Sequence, residues 1–402
     1  MDSSTPMPTH TRILPAGLIG QDRHYNPGLL RFRGHLWLCY RTHAPDGHCK
    51  MAISRLDPVT FQPIPTTSQW LPLKGVRTED GRLFMHNGEP YIAYTELTTY
   101  VPNVDYTCTM RYARLKLGKK GDWQVLDDWQ PAFGWNTGKA REKNWQFFSH
   151  DKELWCVYGT SPTHRLIRIE QDKITQEIIT PGPSWAWGHA RGGTPPIKFG
   201  DVYLSILHSS RIVEVPIGGG WRDPFTLRYH AAAYTFEAKP PFKALSVSRR
   251  PILIGNEKAG FFGDPRNPKF EDPLTVFPCG MVEDPATGDL LVSYGVNNWQ
   301  CWIARFKPAE LQLIPSGSEP FKGWFRTANG TLAISVLGAA DGKGEEKRET
   351  IIWTRPRMTP ARIATEGHVG YLECHDAQIA DSLVGSPLVT EITEAEYRAA
   401  LL

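Results

Sequence analysis

The sequence lacks most of what would mark a helical, membrane-spanning or metal-dependent protein. Apolar residues at helical spacing are missing until the last dozen positions, where Thr393 and Glu396 have capping-box spacing ahead of Tyr397, Leu401 and Leu402. No apolar run approaches the roughly 20 residues that a transmembrane helix needs, so no membrane partner is expected. The start of the chain, MDSSTPMPTHTRILPAGLIGQDRHY, has no charged segment followed by an apolar block, so no signal peptide is read and a cytoplasmic location is expected. There is no run of basic residues: 45 Lys and Arg are interspersed with 42 Asp and Glu, which argues against a nucleic-acid partner. No C-x-x-C, H-x-x-x-H or glycine-rich phosphate loop occurs, so no metal and no cofactor is expected. The seven cysteines are odd in number and scattered, several within strand-like runs, and read as buried reduced thiols.

What the chain does contain is turns and aromatics. Its 36 Gly and 33 Pro make up roughly a sixth of the residues, against about an eighth in average usage. The hydrophobic fraction of 41% is ample for a large core. One theme recurs: a polar motif, a strand, a tight turn and an aromatic-rich strand. It occurs at 26–41 (NPGLLRFRGHLWLCYR), 79–96 (EDGRLFMHNGEPYIAYTE), 142–159 (EKNWQFFSHDKELWCVYG), 192–209 (GGTPPIKFGDVYLSILHS) and 276–295 (VFPCGMVEDPATGDLLVSYG). Most copies are followed by another strand-like run: CKMAISRL, CTMRYARL, HRLIRIE or CWIARF.

Five such copies predict an all-β fold, a five-bladed β-propeller with a C-terminal extension. Each four-stranded blade has two apolar faces that only radial stacking can bury. A β-sandwich is the structural alternative, but it gives no reason for a polar motif at the head of every copy. The expected organisation is an N-terminal arm (1–22), the propeller (23–316) and an extension (317–402). In the extension, 331–338 and 349–355 read as strands around a charged loop, with a short terminal helix. Polar motifs carried by the innermost strands would converge on one channel.

These motifs resemble those of glycoside hydrolase family 130. The matching residues are Asn26-Pro27, Arg41, Glu79-Asp80-x-Arg82, Lys143-Asn144-Trp145, Gly193-Thr194-Pro195-Pro196-Ile197-Lys198, His208, Val276-Phe277-Pro278-x-Gly280 and Tyr294-Gly295. The resemblance spans roughly residues 20 to 310 and implies a propeller acting on β-mannosides, as a phosphorylase or a hydrolase. It implies that Asp80 is the general acid, delivering a proton to the leaving oxygen either directly or through a substrate hydroxyl. Read without it, Glu-Asp-Gly at a strand start is first a turn or sheet-edge feature.

The resemblance further assigns Asn26, Arg41, Glu79, Arg82, Asn144 and Asn298 to sugar binding or to orienting Asp80. For Arg41 and Arg82 a structural ion pair between blades is the alternative. Lys143, His208 and either His189 or Arg191 would hold inorganic phosphate as co-substrate. A hydrolase would instead need a carboxylate base, for which Glu142 and Glu271-Asp272 are candidates. Trp145, Trp185, Trp187 and Trp299 are candidate sugar platforms, though most propeller tryptophans are core. The chain departs from the family pattern at Gly81, where Pro is usual, and at Asn298, where an Asp is common. An inverting glycoside phosphorylase is the leading expectation, with an oligosaccharide or glycoside as partner. A hydrolase, a mannosyltransferase and a non-catalytic sugar-binding propeller are the alternatives. A homo-oligomer stays open.

Overall fold

Each of the five sequence copies becomes a hairpin at the head of an antiparallel sheet. The computed structural model describes residues 8–21, 23–101, 105–132, 141–185, 187–214, 225–255, 274–317, 322–327, 330–335 and 390–392. Blade 1 orders Tyr25–Phe32, His35–His43, Cys49–Leu56 and Gln69–Trp70 from first strand to last. Blade 2 orders Arg77–His86, Glu89–Val101, Asp105–Leu117 and Trp123–Trp129 in the same way. In blade 3 the strands are Gln146–His150, Glu153–Gly159, Thr163–Glu170 and Lys173–Pro181. Two-residue turns close the leading hairpins with both residues left-handed: Arg33-Gly34, Asn87-Gly88 and Asp151-Lys152. This turn type matches the twist of the strands it joins.

Blade 4 departs from the pattern. Its first strand is split into Arg191–Gly192 and Ile197–Phe199, because Pro195-Pro196 lack the N–H groups a continuous ladder requires. It continues with Val202–Glu214, Phe225–Glu237 and Ala244–Ser248, and Leu313–Pro315 returns to pair with Ala244–Ser248. Blade 5 holds Val276–Glu283, Leu290–Val296 and Gln300–Phe306, and its fourth strand is Thr9–Ile13. The N-terminal segment expected as an arm therefore contributes a strand to the last blade. Its alternating THTRI pattern is too short to be assigned a sheet from sequence. In the extension, Lys322–Thr327, Gly330–Ser335 and Thr390–Ile392 form a separate three-stranded sheet. The expected strand at 349–355 and the terminal helix lie outside the described residues.

Five apolar cores, one per neighbouring pair of blades, carry the ring. Leu30, Trp37 and Met51 of blade 1 meet Leu83, Ile92 and Tyr94 of blade 2. Phe84 and Tyr112 meet Phe147 and Ile167 between blades 2 and 3, and Phe148 and Trp155 meet Tyr203 and Phe236 between blades 3 and 4. Leu204 and Ala233 meet Met281 and Val292 between blades 4 and 5. The fifth core joins Leu29 and Tyr40 to Leu291 and Ile303, so blade 5 packs back on blade 1.

Toward the centre the first strands crowd until backbone meets backbone. A Cβ on Gly280 would lie 2.0 Å from the amide nitrogen of Leu29, and one on Gly28 would lie 2.5 Å from the carbonyl of Gly81. Glycine is required at both positions by the neighbouring blade. Gly81 is itself enclosed by the ends of Met51, Ile92 and Cys39, so the position where the family carries Pro is closely packed here. Gly280→Ala should therefore cost about 2–3 kcal/mol, as overpacking against rigid backbone does. Gly159→Ala, whose added methyl would find nothing nearer than 3.8 Å, should cost under about 1 kcal/mol. Urea midpoints of the two variants check the difference.

Candidate active site

Three of the first strands are interrupted at the same level by a bulge. In blade 1 the register shifts between Tyr25 and Gly28, in blade 2 between Glu79 and Arg82, and in blade 5 between Pro278 and Gly280. The extra residue re-aims a side chain that regular pleating would send into a blade interface. Asn26 sits in the first bulge with φ 50° and Asp80 in the second with φ 53°, both in the left-handed region. Asn144, just ahead of the first strand of blade 3, has φ 65°. Asn and Asp tolerate this conformation better than other side chains, yet it is still costly, and such outliers concentrate at functional sites.

Asp80 is buried and is held from three sides. Asn26 Nδ2 donates to its Oδ1 at 2.8 Å, and Arg41 Nη1 stands 3.5 Å from the same oxygen. Its main-chain carbonyl accepts from Arg82 Nη1 at 3.1 Å. Arg41 Nη2 also donates to Glu79 Oε1 at 2.5 Å, while Lys143 Nζ reaches Glu79 Oε2 at 3.2 Å. Burial pushes the Asp80 carboxyl up, but Arg41, Lys143, Arg82 and the Asn26 amide together outweigh it, and the net shift is downward. Asp80 is therefore held as a carboxylate at neutral pH.

Arg82 gathers the other blades. Its Nε donates to the carbonyl of Gly193 at 2.6 Å and its Nη2 to Asn144 Oδ1 at 3.0 Å, and its guanidinium lies 5.6 Å from the ring centre of Phe277. The side chain has no exposure. His208 completes this wall, buried between Phe277 at 4.6 Å and Tyr229 at 6.0 Å between ring centres. Burial, together with Arg82 and Arg191, brings its imidazole down to about 3, so His208 is neutral at physiological pH and can offer a hydrogen bond but no charge.

The structure thus joins Asn26, Arg41, Glu79, Asp80, Arg82, Lys143 and Asn144 in one hydrogen-bonded network drawn from blades 1 to 3. His208 and Phe277 come from blades 4 and 5. His189 and Arg191 are exposed, and Asn298 is half-buried and left-handed in the turn that follows Leu290–Val296. These three stand outside the hydrogen bonds described above. Glu142 accepts from Trp145 Nε1 at 3.1 Å and from the Tyr158 hydroxyl at 3.2 Å, so both of its oxygens are engaged in the wall of blade 3. Glu271 and Asp272 lie outside the described residues. Trp145, Trp185 and Trp187 belong to blade cores, whereas Trp299 is half-buried with Arg23 4.7 Å above its ring. Two partners escaped sequence reading. Tyr25 lies under the Arg41 guanidinium at 4.8 Å, and Cys49 stands 3.5 Å from Arg41 Nη2. The strand register that sets Cys49 opposite His43 appears only in the fold.

No family model and no curated protein matches this chain. Solved structures do. One is a protein of Parabacteroides distasonis, provisionally named a glycoside hydrolase, with 14% identity over 71% of this chain and 87% of that one, at a TM-score of 0.50. Another comes from work on the GH130 family of mannoside phosphorylases, described as containing glycoside hydrolases that target β-1,2-mannosidic linkages in Candida mannan. It covers 80% of this chain and 99% of its own, with 14% identity and a TM-score of 0.50. At this identity the likeness establishes a shared fold.

Two outcomes are expected of the network itself. Arg82→Met leaves three acceptors from three blades without their donor, and should lower stability by roughly 3–5 kcal/mol, read as a fall in the urea midpoint. Asp80 has a folded pKa below its unfolded value, so its stabilising contribution is present above about pH 4 and is lost as pH falls through the lower folded value. The stability gap between wild type and Asp80→Asn should therefore be wide at pH 7 and narrow at pH 3.

Proposed function

We propose that the protein is a carbohydrate-active enzyme that cleaves or forms β-mannoside-like bonds, and specifically an inverting glycoside phosphorylase. The observation that carries this reading is Asp80: a buried carboxylate in a left-handed bulge, gripped by Asn26 and Arg41 and surrounded by cations. The shared fold with a structure reported for mannoside phosphorylases and glycoside hydrolases supports the reaction class.

Cleavage of a glycosidic bond requires a proton for the leaving oxygen. Arg41, Lys143 and Arg82 favour the ionised form of Asp80. A phosphate dianion settling against those cations would offset their charge and raise the proton affinity of Asp80. The acid would then be protonated when the nucleophile is in place. Asp80 gives its proton to the leaving oxygen, directly or through a sugar hydroxyl, while a phosphate oxygen attacks the anomeric carbon from the opposite face. The bond to the leaving sugar breaks, and the product is a sugar 1-phosphate of inverted configuration.

A hydrolase needs a carboxylate base free to take a proton from water. Among the described residues the expected base, Glu142, spends both oxygens on Trp145 and Tyr158, which favours phosphate over water as nucleophile. Incubation with a panel of β-mannosides, with and without inorganic phosphate, tests the reading. Sugar 1-phosphate should appear only with phosphate, Asp80→Asn should lower kcat by at least about a thousandfold, and Lys143→Met should raise the KM for phosphate about tenfold or more. Sugar release without phosphate would make the protein a hydrolase, and sugar binding without turnover would make it a binding propeller.

A further inference from the structure

The described cysteines fall into two classes. Cys39, Cys108, Cys156, Cys279 and Cys301 are buried, and burial pushes each thiol up, Cys108 to about 11 and Cys39 to about 12. Cys49 is buried as well, but its thiol is shifted the other way. It opens the third strand of blade 1 directly across the ladder from His43, with its Sγ 3.4 Å from His43 Nε2 and 3.5 Å from Arg41 Nη2. That Arg41 nitrogen also donates to Glu79, and its sister nitrogen reaches Asp80. The face of the same guanidinium lies over Tyr25. One planar cation is thus oriented by a sulfur, two carboxylates and an aromatic ring.

We propose that Cys49 and His43 form a positioning pair that fixes the Arg41 guanidinium against Glu79 and Asp80. This rests on Asp80 being the acid of the reaction proposed above. Burial alone would raise the Cys49 thiol, but Arg41 and His43 overcome it and bring it down to about 6. Above that pH a negative sulfur faces Arg41. Around it stand His43 from the adjoining strand and Tyr25, whose phenol burial keeps neutral, with Glu79 and Asp80 beyond Arg41 and Lys143 beyond Glu79. The thiolate draws the guanidinium to one side and offsets part of its charge. Asp80 is thereby easier to protonate than it would be beside an uncompensated arginine.

The sign of the effect follows. Cys49→Ser removes the negative sulfur at nearly constant volume, so Arg41 holds Asp80 ionised more firmly. At neutral pH kcat should fall about tenfold while the KM for the glycoside stays within about twofold, and the pH optimum should move to lower pH. Cys49→Asp, which returns a negative group to Arg41, should recover most of the lost kcat. A purely structural cysteine would change the melting temperature and leave the pH profile in place, and an unshifted profile in Cys49→Ser overturns the proposal.

A second measurement needs no turnover: ultraviolet thiolate absorbance titrated in wild type, Cys49→Ser and Arg41→Gln. A step near pH 6 that vanishes in Cys49→Ser and moves upward in Arg41→Gln supports the pair. No step below pH 7 in wild type overturns it, whatever the enzyme does. A normal step in a protein that turns over no glycoside, with or without phosphate, overturns the catalytic reading and with it the positioning role, while leaving the thiolate contact standing.

Discussion

A guanidinium with no access to water stands where four blades meet, and the rest of the site depends on it. Arg82 reaches the main chain of its own blade at Asp80, the amide of Asn144 in blade 3, the carbonyl of Gly193 in blade 4 and the ring of Phe277 in blade 5. A buried charge is tolerated only when its donors are satisfied, and each acceptor here is supplied by a different turn of the ring. The position of Asp80 is therefore coupled to the closure of the propeller. A displacement of one blade would be felt as a lost hydrogen bond to Arg82.

Local strain and close packing cooperate around that centre. Bulges in blades 1, 2 and 5 lift the polar motif out of the ladder, and left-handed Asn26 and Asp80 turn toward each other across the first interface. They meet at 2.8 Å because Gly28 lets the Gly81 carbonyl come close behind them. A side chain at position 28 would separate the very strands that carry the pair.

Charge is arranged in layers. Glu79 stands between Arg41 and Lys143, so neither cation meets Asp80 uncompensated, and the Cys49–His43 pair faces Arg41 from its other side. In a low-dielectric cluster such compensation decides protonation states, because each added or removed charge acts at short range. His208 shows the converse: burial and two nearby arginines outweigh the pull of Asp80 and keep it neutral.

The repeat of turn, strand and aromatic strand was legible because hairpin turns and alternation are local. The Arg33-Gly34 and Asn87-Gly88 turns, the five leading hairpins and the strands after them appear where their residues imply. The residue types at the site were legible too, since Asn26, Asp80, Arg82 and Asn144 head their copies. Three things were decided only in three dimensions. The strand Thr9–Ile13 completes blade 5 through partners nearly 300 positions away, and Leu313–Pro315 returns to blade 4; neither segment carries its partner in its own pattern. Which cation serves which group was likewise hidden, because Arg41 and Arg82 read alike in sequence and differ only in what surrounds them. The low-titrating thiol of Cys49 was the least visible of all. A cysteine at a strand start looks like core, and only the fold sets an arginine and a histidine against its sulfur.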